Sequence, residues 1–214
     1  MGKGLVVSVC GLIGSGKSTL VSNLANNDGY IEFQEPVESN PFLELYYDDP
    51  TRWSYAMQVN LLFERYKQSQ EAYLQSLRGE IALLDSTIYS DAAFGLVQKE
   101  CGYFTDKEYK SYINMHQVLA TQIAYPDIMF WLELSPEDTM ERIKKRSRNC
   151  ESGIPIDYLE KLYNSYQIIL DKLKAHTNVV SIDARYSAED VYKNVSSYIT
   201  WYRDKVSDDD IKYL

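Results

Sequence analysis

No stretch of this chain comes near the run of roughly 18 apolar residues needed to cross a bilayer, so no membrane partner is expected. Cysteine is scarce: Cys10, Cys101 and Cys150 are scattered without a CxxC pair or a metal-ligand spacing. They read as buried or incidental thiols, and the isolated His116 and His176 add no ligand pattern. Cations are also in deficit, with Lys and Arg at 22 against 31 Asp and Glu and a net charge of −9. Such a chain lacks the positive footprint of a nucleic-acid binder, although a local cationic cluster can still serve a small anionic ligand. Repeats, low-complexity linkers and Pro/Gly-rich boundaries are missing too, so residues 1–214 read as one domain with a small lid at about 142–155. The acidic run Ser207-Asp208-Asp209-Asp210 reads as part of a solvated tail over about 207–214. Met1-Gly2-Lys3-Gly4 carries no signal-peptide pattern, and a cytoplasmic protein is expected.

What is present alternates between short apolar runs and longer helical patterns. Leu5–Cys10, Tyr30–Phe33, Ile81–Leu84, Ile128–Leu132 and Asn178–Ile182 read as five strands. Helical patterns cover Ser18–Ala25, most of Pro41–Gln75, Asp106–Ala124, Ser135–Arg148 and Pro155–Ala175. Ser135-Pro136-Glu137 is a helix start, with a capping serine, a proline at the first position and an acidic first turn. This alternation predicts an α/β fold, a three-layer arrangement with a five-stranded parallel sheet covered by helices on both faces, and the glycine-rich motif Gly11–Ser18 after the first strand makes it of P-loop NTPase type. Ligands of such sheets bind beyond the carboxyl ends of the strands.

Between the first strand and the following helix stands Gly11-Leu12-Ile13-Gly14-Ser15-Gly16-Lys17-Ser18, followed by Thr19, and the eight residues fit G-x-x-x-x-G-K-[ST] in the context that motif requires. Glycines let main-chain N–H groups turn onto phosphate oxygens, and the helix adds its positive end. Lys17 supplies a mobile charge to the β- and γ-phosphates of ATP, and the Ser18 hydroxyl can ligate Mg²⁺. Neither an N-K-x-D nor a D-x-x-G at a strand end accompanies the motif, which argues against a GTPase.

The segment Arg142-Ile143-Lys144-Lys145-Arg146-Ser147-Arg148 concentrates cations in an acidic chain, with Arg142 and Arg146 on one helical face. It reads either as a lid whose arginines reach a transferring phosphoryl group or as a solvated basic helix end. Glu35 follows the second strand, where it could accept the proton of an attacking hydroxyl. Asp85 ends the third, where it could hold Mg²⁺ or share the base role. Either acid alone could equally cap a helix.

Taken together, the chain resembles the deoxyribonucleoside kinase family. The likeness runs from the P-loop to the final strand and is carried by Glu35–Pro41, Arg52-Trp53-Ser54 with Gln58, Ile88-Tyr89-Ser90-Asp91, and Arg142–Glu160. The resemblance implies phosphoryl transfer from ATP with Mg²⁺ to the 5′-hydroxyl of a deoxynucleoside, purine preferred and deoxycytidine possible, by a homodimer. It makes Glu35 the general base, and Tyr47 and Glu151 the pair on the sugar 3′-hydroxyl. Gln58 becomes the reader of the base edge, with Arg65 and Asp91 a charged pair beside it. Arg142 and Arg146 become phosphate contacts, Arg148 a lid arginine near the reacting groups, and Asp183-Ala184-Arg185 the border of the donor adenine. The residue types suit these roles: Gln58 offers a donor and an acceptor, and Arg65 returns to the same helical face two turns on. The chain departs from the family at Asp85-Ser86-Thr87, where many members carry an arginine in the middle position that helps organise the base carboxylate. How Glu35 is held is therefore open.

Two other readings share the P-loop. A nucleoside monophosphate kinase, similar to thymidylate kinase, would need arginines around its acceptor. A non-catalytic nucleotide-binding regulator would keep the cradle alone, with Ser86 as its support.

Overall fold

The computed structural model describes residues 4–35, 37, 39–146 and 153–211, with the backbone alone at 146 and 207–211. Along the chain, β1 (Leu5–Gly11) leads into α1 (Lys17–Asp28) and β2 (Ile31–Phe33). Two helices follow, α2 (Leu43–Asp48) and α3 (Pro50–Ser76), then β3 (Ile81–Asp85), α4 (Ile88–Glu100) and α5 (Asp106–Ala120). The second half runs β4 (Ile128–Glu133), α6 (Pro136–Arg146), α7 (Ile156–Leu173), β5 (Asn178–Asp183) and α8 (Ala188–Ile211).

The five strands form one sheet in the order β2-β3-β1-β4-β5, every pairing parallel. Register pairs Val9 with Asp85 and Gly11 with Leu132, so the ends of β1, β3 and β4 reach one edge together. Because successive side chains alternate between faces, each strand feeds two cores. Leu5, Val7, Val9, Leu83, Phe130 and Leu132 pack under α1 and α8. On the opposite face, Val6, Ala82 and Leu84 meet Ala72 of α3, while Cys10, Met129 and Trp131 join α4, α5 and α7. The predicted layers and parallel sheet are those observed.

Two helices differ from the sequence reading. Ile88–Glu100 is a helix started by a reciprocal cap: Ser90 N donates to Thr87 Oγ1 at 3.2 Å and Thr87 N to Ser90 Oγ at 2.9 Å. The last helix, α8, begins at a Ser187 cap and continues through the run read as an acidic tail. Cys10 is buried, and desolvation lifts its thiol to about 12; Cys150 lies outside the described residues.

Helices α4 and α5 approach closely at a glycine. A Cβ at Gly95 would lie 2.6 Å from Cζ of Tyr112 and nearer still to Cε1. Tyr112 is fully buried and has no room to retreat. Gly95→Ala therefore loses stability: overpacking costs about 1–3 kcal/mol, which exceeds the roughly 1 kcal/mol that alanine gains over glycine in a helix. The measure is a urea unfolding midpoint, expected below that of the wild type.

Candidate active site

Three strand ends set the site. After β1, the chain turns through Gly14 at φ 82° and Gly16 at φ 101°, left-handed conformations that favour glycine. This places the N-terminus of α1 against the edge of the sheet. The Lys17 side chain folds back, its Nζ donating to the carbonyls of Gly11 at 3.2 Å and Leu12 at 3.1 Å.

At the end of β3, Asp85 accepts a hydrogen bond from Ser18 Oγ at 2.5 Å through its Oδ2. Its other oxygen, Oδ1, is buried without a hydrogen-bond partner among the described residues. Burial is the largest influence on this carboxyl and raises its pKa; Lys17 opposes the rise and Glu35 adds to it. An orphaned carboxylate oxygen beside a serine hydroxyl suits a hard cation that takes one or two protein oxygens and completes its shell with phosphate and water. The pair therefore fits Mg²⁺. Next to it, Ser86 sits at φ 70°, with its hydroxyl also buried and unpartnered.

Beyond β2, Glu35 faces a cavity of about 640 Å³, within the usual range for small-molecule sites. Its lining includes Gly14, Lys17 and Ser18 together with Glu35, Tyr47, Gln58 and Arg65. The cavity thus joins the phosphate cradle to most of the residues expected around an acceptor.

Part of the cavity wall is tied together by charge. Arg65 on α3 is 1% exposed, and its two terminal nitrogens reach different carboxylates: Nη2 bonds Glu35 Oε1, and Nη1 bonds Asp91 Oδ1. Burial works against the guanidinium charge, but the two carboxylates outweigh it and raise the arginine's pKa above its ordinary value. Gln58 Nε2 donates to the same Asp91 oxygen at 2.9 Å. Since a carboxylate can only accept, this fixes the amide's orientation, and Gln58 Oε1 is left buried and unpartnered among the described residues. Asp91, fully buried on α4, stands behind Gln58 and Arg65 and does not line the cavity.

The remaining site residues are placed less directly. Arg142 donates through Nη1 to Ser15 O at 3.2 Å and through Nη2 to Ala184 O at 2.5 Å, so it clasps the cradle to the turn after β5. Asp183 and Arg185 pair on the surface, which pulls the Asp183 carboxyl down to about 2. They line a separate hollow with Glu133, Ser135 and Tyr163. The side chain of Arg146, together with Arg148 and Glu151, lies outside the described residues. Sequence reasoning passed over Tyr46, Tyr103 and Tyr158 on the cavity wall, and Tyr112 behind it; tyrosines scattered over separate stretches of the chain look like ordinary core.

Comparison with known proteins gives a consistent picture. The family model for deoxynucleoside kinases matches residues 7–201. A deoxyadenosine kinase of Dictyostelium discoideum is 34% identical over 181 residues, covering 85% of this chain and 73% of that protein. A deoxyadenosine/deoxycytidine kinase of Bacillus subtilis is 32% identical, covering 77% and 76%. Among solved structures, an M. mycoides deoxyadenosine kinase with the products dCMP and dCDP superposes with a TM-score of 0.82. At 26% identity it covers 92% of this chain and 100% of that one. The same kinase with bound dATP gives a TM-score of 0.81 at 27% identity, covering 92% and 99%.

Proposed function

The chain belongs to the deoxynucleoside kinase family, and from that premise we propose that it transfers the γ-phosphoryl of ATP to the 5′-hydroxyl of a deoxynucleoside, purines preferred and deoxycytidine accepted. One observation supports the reading: a single cavity is lined both by Gly14, Lys17 and Ser18 of the cradle and by Glu35, Tyr47 and Gln58. A nucleoside there stands with its sugar between the carboxylate and the cradle.

In this reading Glu35 accepts the 5′-hydroxyl proton as oxygen attacks, and Arg65 aims it. Lys17 and the amides of residues 11–19 hold the phosphate chain, while Ser18 and Asp85 hold Mg²⁺, which neutralises charge on the transferring group when bound. Tyr47 steadies the sugar together with Glu151, and Arg142, Arg146 and Arg148 close over the phosphates. Asp183, Ala184 and Arg185 border the donor base. The orphaned Gln58 Oε1 is a lone acceptor, which favours a base edge rich in N–H donors: the amine of adenine or cytosine, or the ring N–H and amine of guanine. Thymine offers one N–H between two carbonyls and carries a methyl group.

The proposal extends to a cytoplasmic homodimer assembled through helices. Phe63 and Leu74, both more than half exposed on α3, give that helix an apolar outward row.

A spectrophotometric assay of ADP release, run with four deoxynucleosides and their monophosphates, tests this. Deoxyadenosine and deoxyguanosine should be turned over fastest and thymidine slowest. Turnover of monophosphates alone would replace the proposal with a nucleoside monophosphate kinase; ATP binding without turnover would make the chain a regulator.

A further inference from the structure

Behind the cavity, Gln58, Arg65 and Tyr112 all converge on Asp91, and among the described residues its far oxygen is held by one group. The Tyr112 hydroxyl, from α5, donates to Asp91 Oδ2 at 2.5 Å and lies 3.0 Å from the main-chain oxygen of the same residue. Asp91 Oδ1 is occupied from the other side by Gln58 Nε2 and Arg65 Nη1. That leaves Arg65 Nη2 for Glu35, while Arg65 Nε is buried without a partner among the described residues.

The tyrosine is built in at some cost. Its ring is fully buried, packs 5.8 Å from Phe104 between centroids, and rests on the bare Cα of Gly95, one turn after Asp91 on α4. A glycine inside a helix is unfavourable, and here its place admits a ring whose polar atom reaches Asp91.

A guanidinium and a carboxylate prefer two parallel hydrogen bonds when both carboxylate oxygens are open. With Oδ2 taken by Tyr112, that fork is blocked, and Arg65 divides between two acids. We propose that Tyr112 is a positioning residue for phosphoryl transfer: by occupying the far oxygen of Asp91, its hydroxyl keeps Arg65 shared with Glu35 and holds the Glu35 carboxylate toward the cavity. Without the hydroxyl, Arg65 turns both terminal nitrogens onto Asp91 and releases Glu35. The inference rests on the reading of Glu35 as the base.

Tyr112→Phe keeps the ring and removes one oxygen. Its kcat with ATP and the best deoxynucleoside should fall about tenfold, with KM for ATP unchanged, as expected when a reacting group is misplaced rather than a binding group lost. A crystal structure of the variant should show Arg65 bidentate on Asp91. An unchanged kcat, a raised deoxynucleoside KM alone (which would place the effect on Gln58), or failure of the variant to fold would each overturn the proposal. Glu35→Gln separates the two ideas. Turnover surviving that change defeats the base reading, whereas an inactive Glu35→Gln beside a fully active Tyr112→Phe defeats only the present inference.

Discussion

Glu35→Gln should lower turnover by about a hundred- to ten-thousandfold, the range typical of a positioned general base, while ATP binding stays near the wild-type value. The substitution keeps the size of the side chain and one hydrogen-bonding oxygen, so the cavity wall stands. It removes the capacity to take up a proton. Among the described residues Glu35 is the carboxylate lining the cavity, which Gly14 and Lys17 also line; Asp85 is fully buried and already bonded to Ser18. The two acids near the cradle are therefore not equivalent, and only the one beyond β2 faces the space a sugar would fill. Initial rates of ADP release, with ATP affinity measured by calorimetry, decide the matter. Wild-type turnover in the Gln variant would remove Glu35 from the chemistry.

Arg65→Met should be the most destabilising single change in the site. The arginine is enclosed and carries the positive charge shared by two carboxylates. Taking away one partner of a buried ion pair costs roughly 3–5 kcal/mol, because the remaining charge keeps its desolvation penalty. Asp91, at 0% exposure, bears most of this, while Glu35 at 15% can turn toward water. For a chain of this size each kcal/mol moves the thermal midpoint by about 2–4 °C, so a melt should drop by roughly 10 °C. Lysine at 65 restores charge but not the two-armed reach, and should fall between the wild type and methionine. A methionine variant melting within about 2 °C of the wild type would show that the two acids find other partners.

The sequence exposes those parts of this design whose signal is local. The cradle is a contiguous motif in which Gly14 and Gly16 meet backbone demands that few residues satisfy, and the strands are short apolar runs set between longer helical patterns. Helix α4 escaped because its start, Thr87 to Ser90, is a cap made by two small hydroxyl residues rather than a capping acid, and it follows directly on a strand. Gln58, Arg65 and Asp91 were visible only through the family likeness, since residues 26 and 33 positions apart leave no periodic trace of their contact. How Glu35 is held in a chain with Ser86 in the arginine's usual place needed three dimensions: the cation arrives from α3. Arg142, expected to reach phosphate, stands beside the cradle with its hydrogen bonds on the main-chain oxygens of Ser15 and Ala184, contacts between distant segments that no local pattern announces.

The notch on α4 has an evolutionary corollary. Positions 95 and 112 can drift only in tandem, since any larger residue at 95 demands a slimmer one at 112. Each slimmer replacement surrenders the phenol oxygen that Asp91 receives. A methyl-sized substitution on one helix would thus be felt, through three side chains, by a carboxylate on a different layer of the molecule.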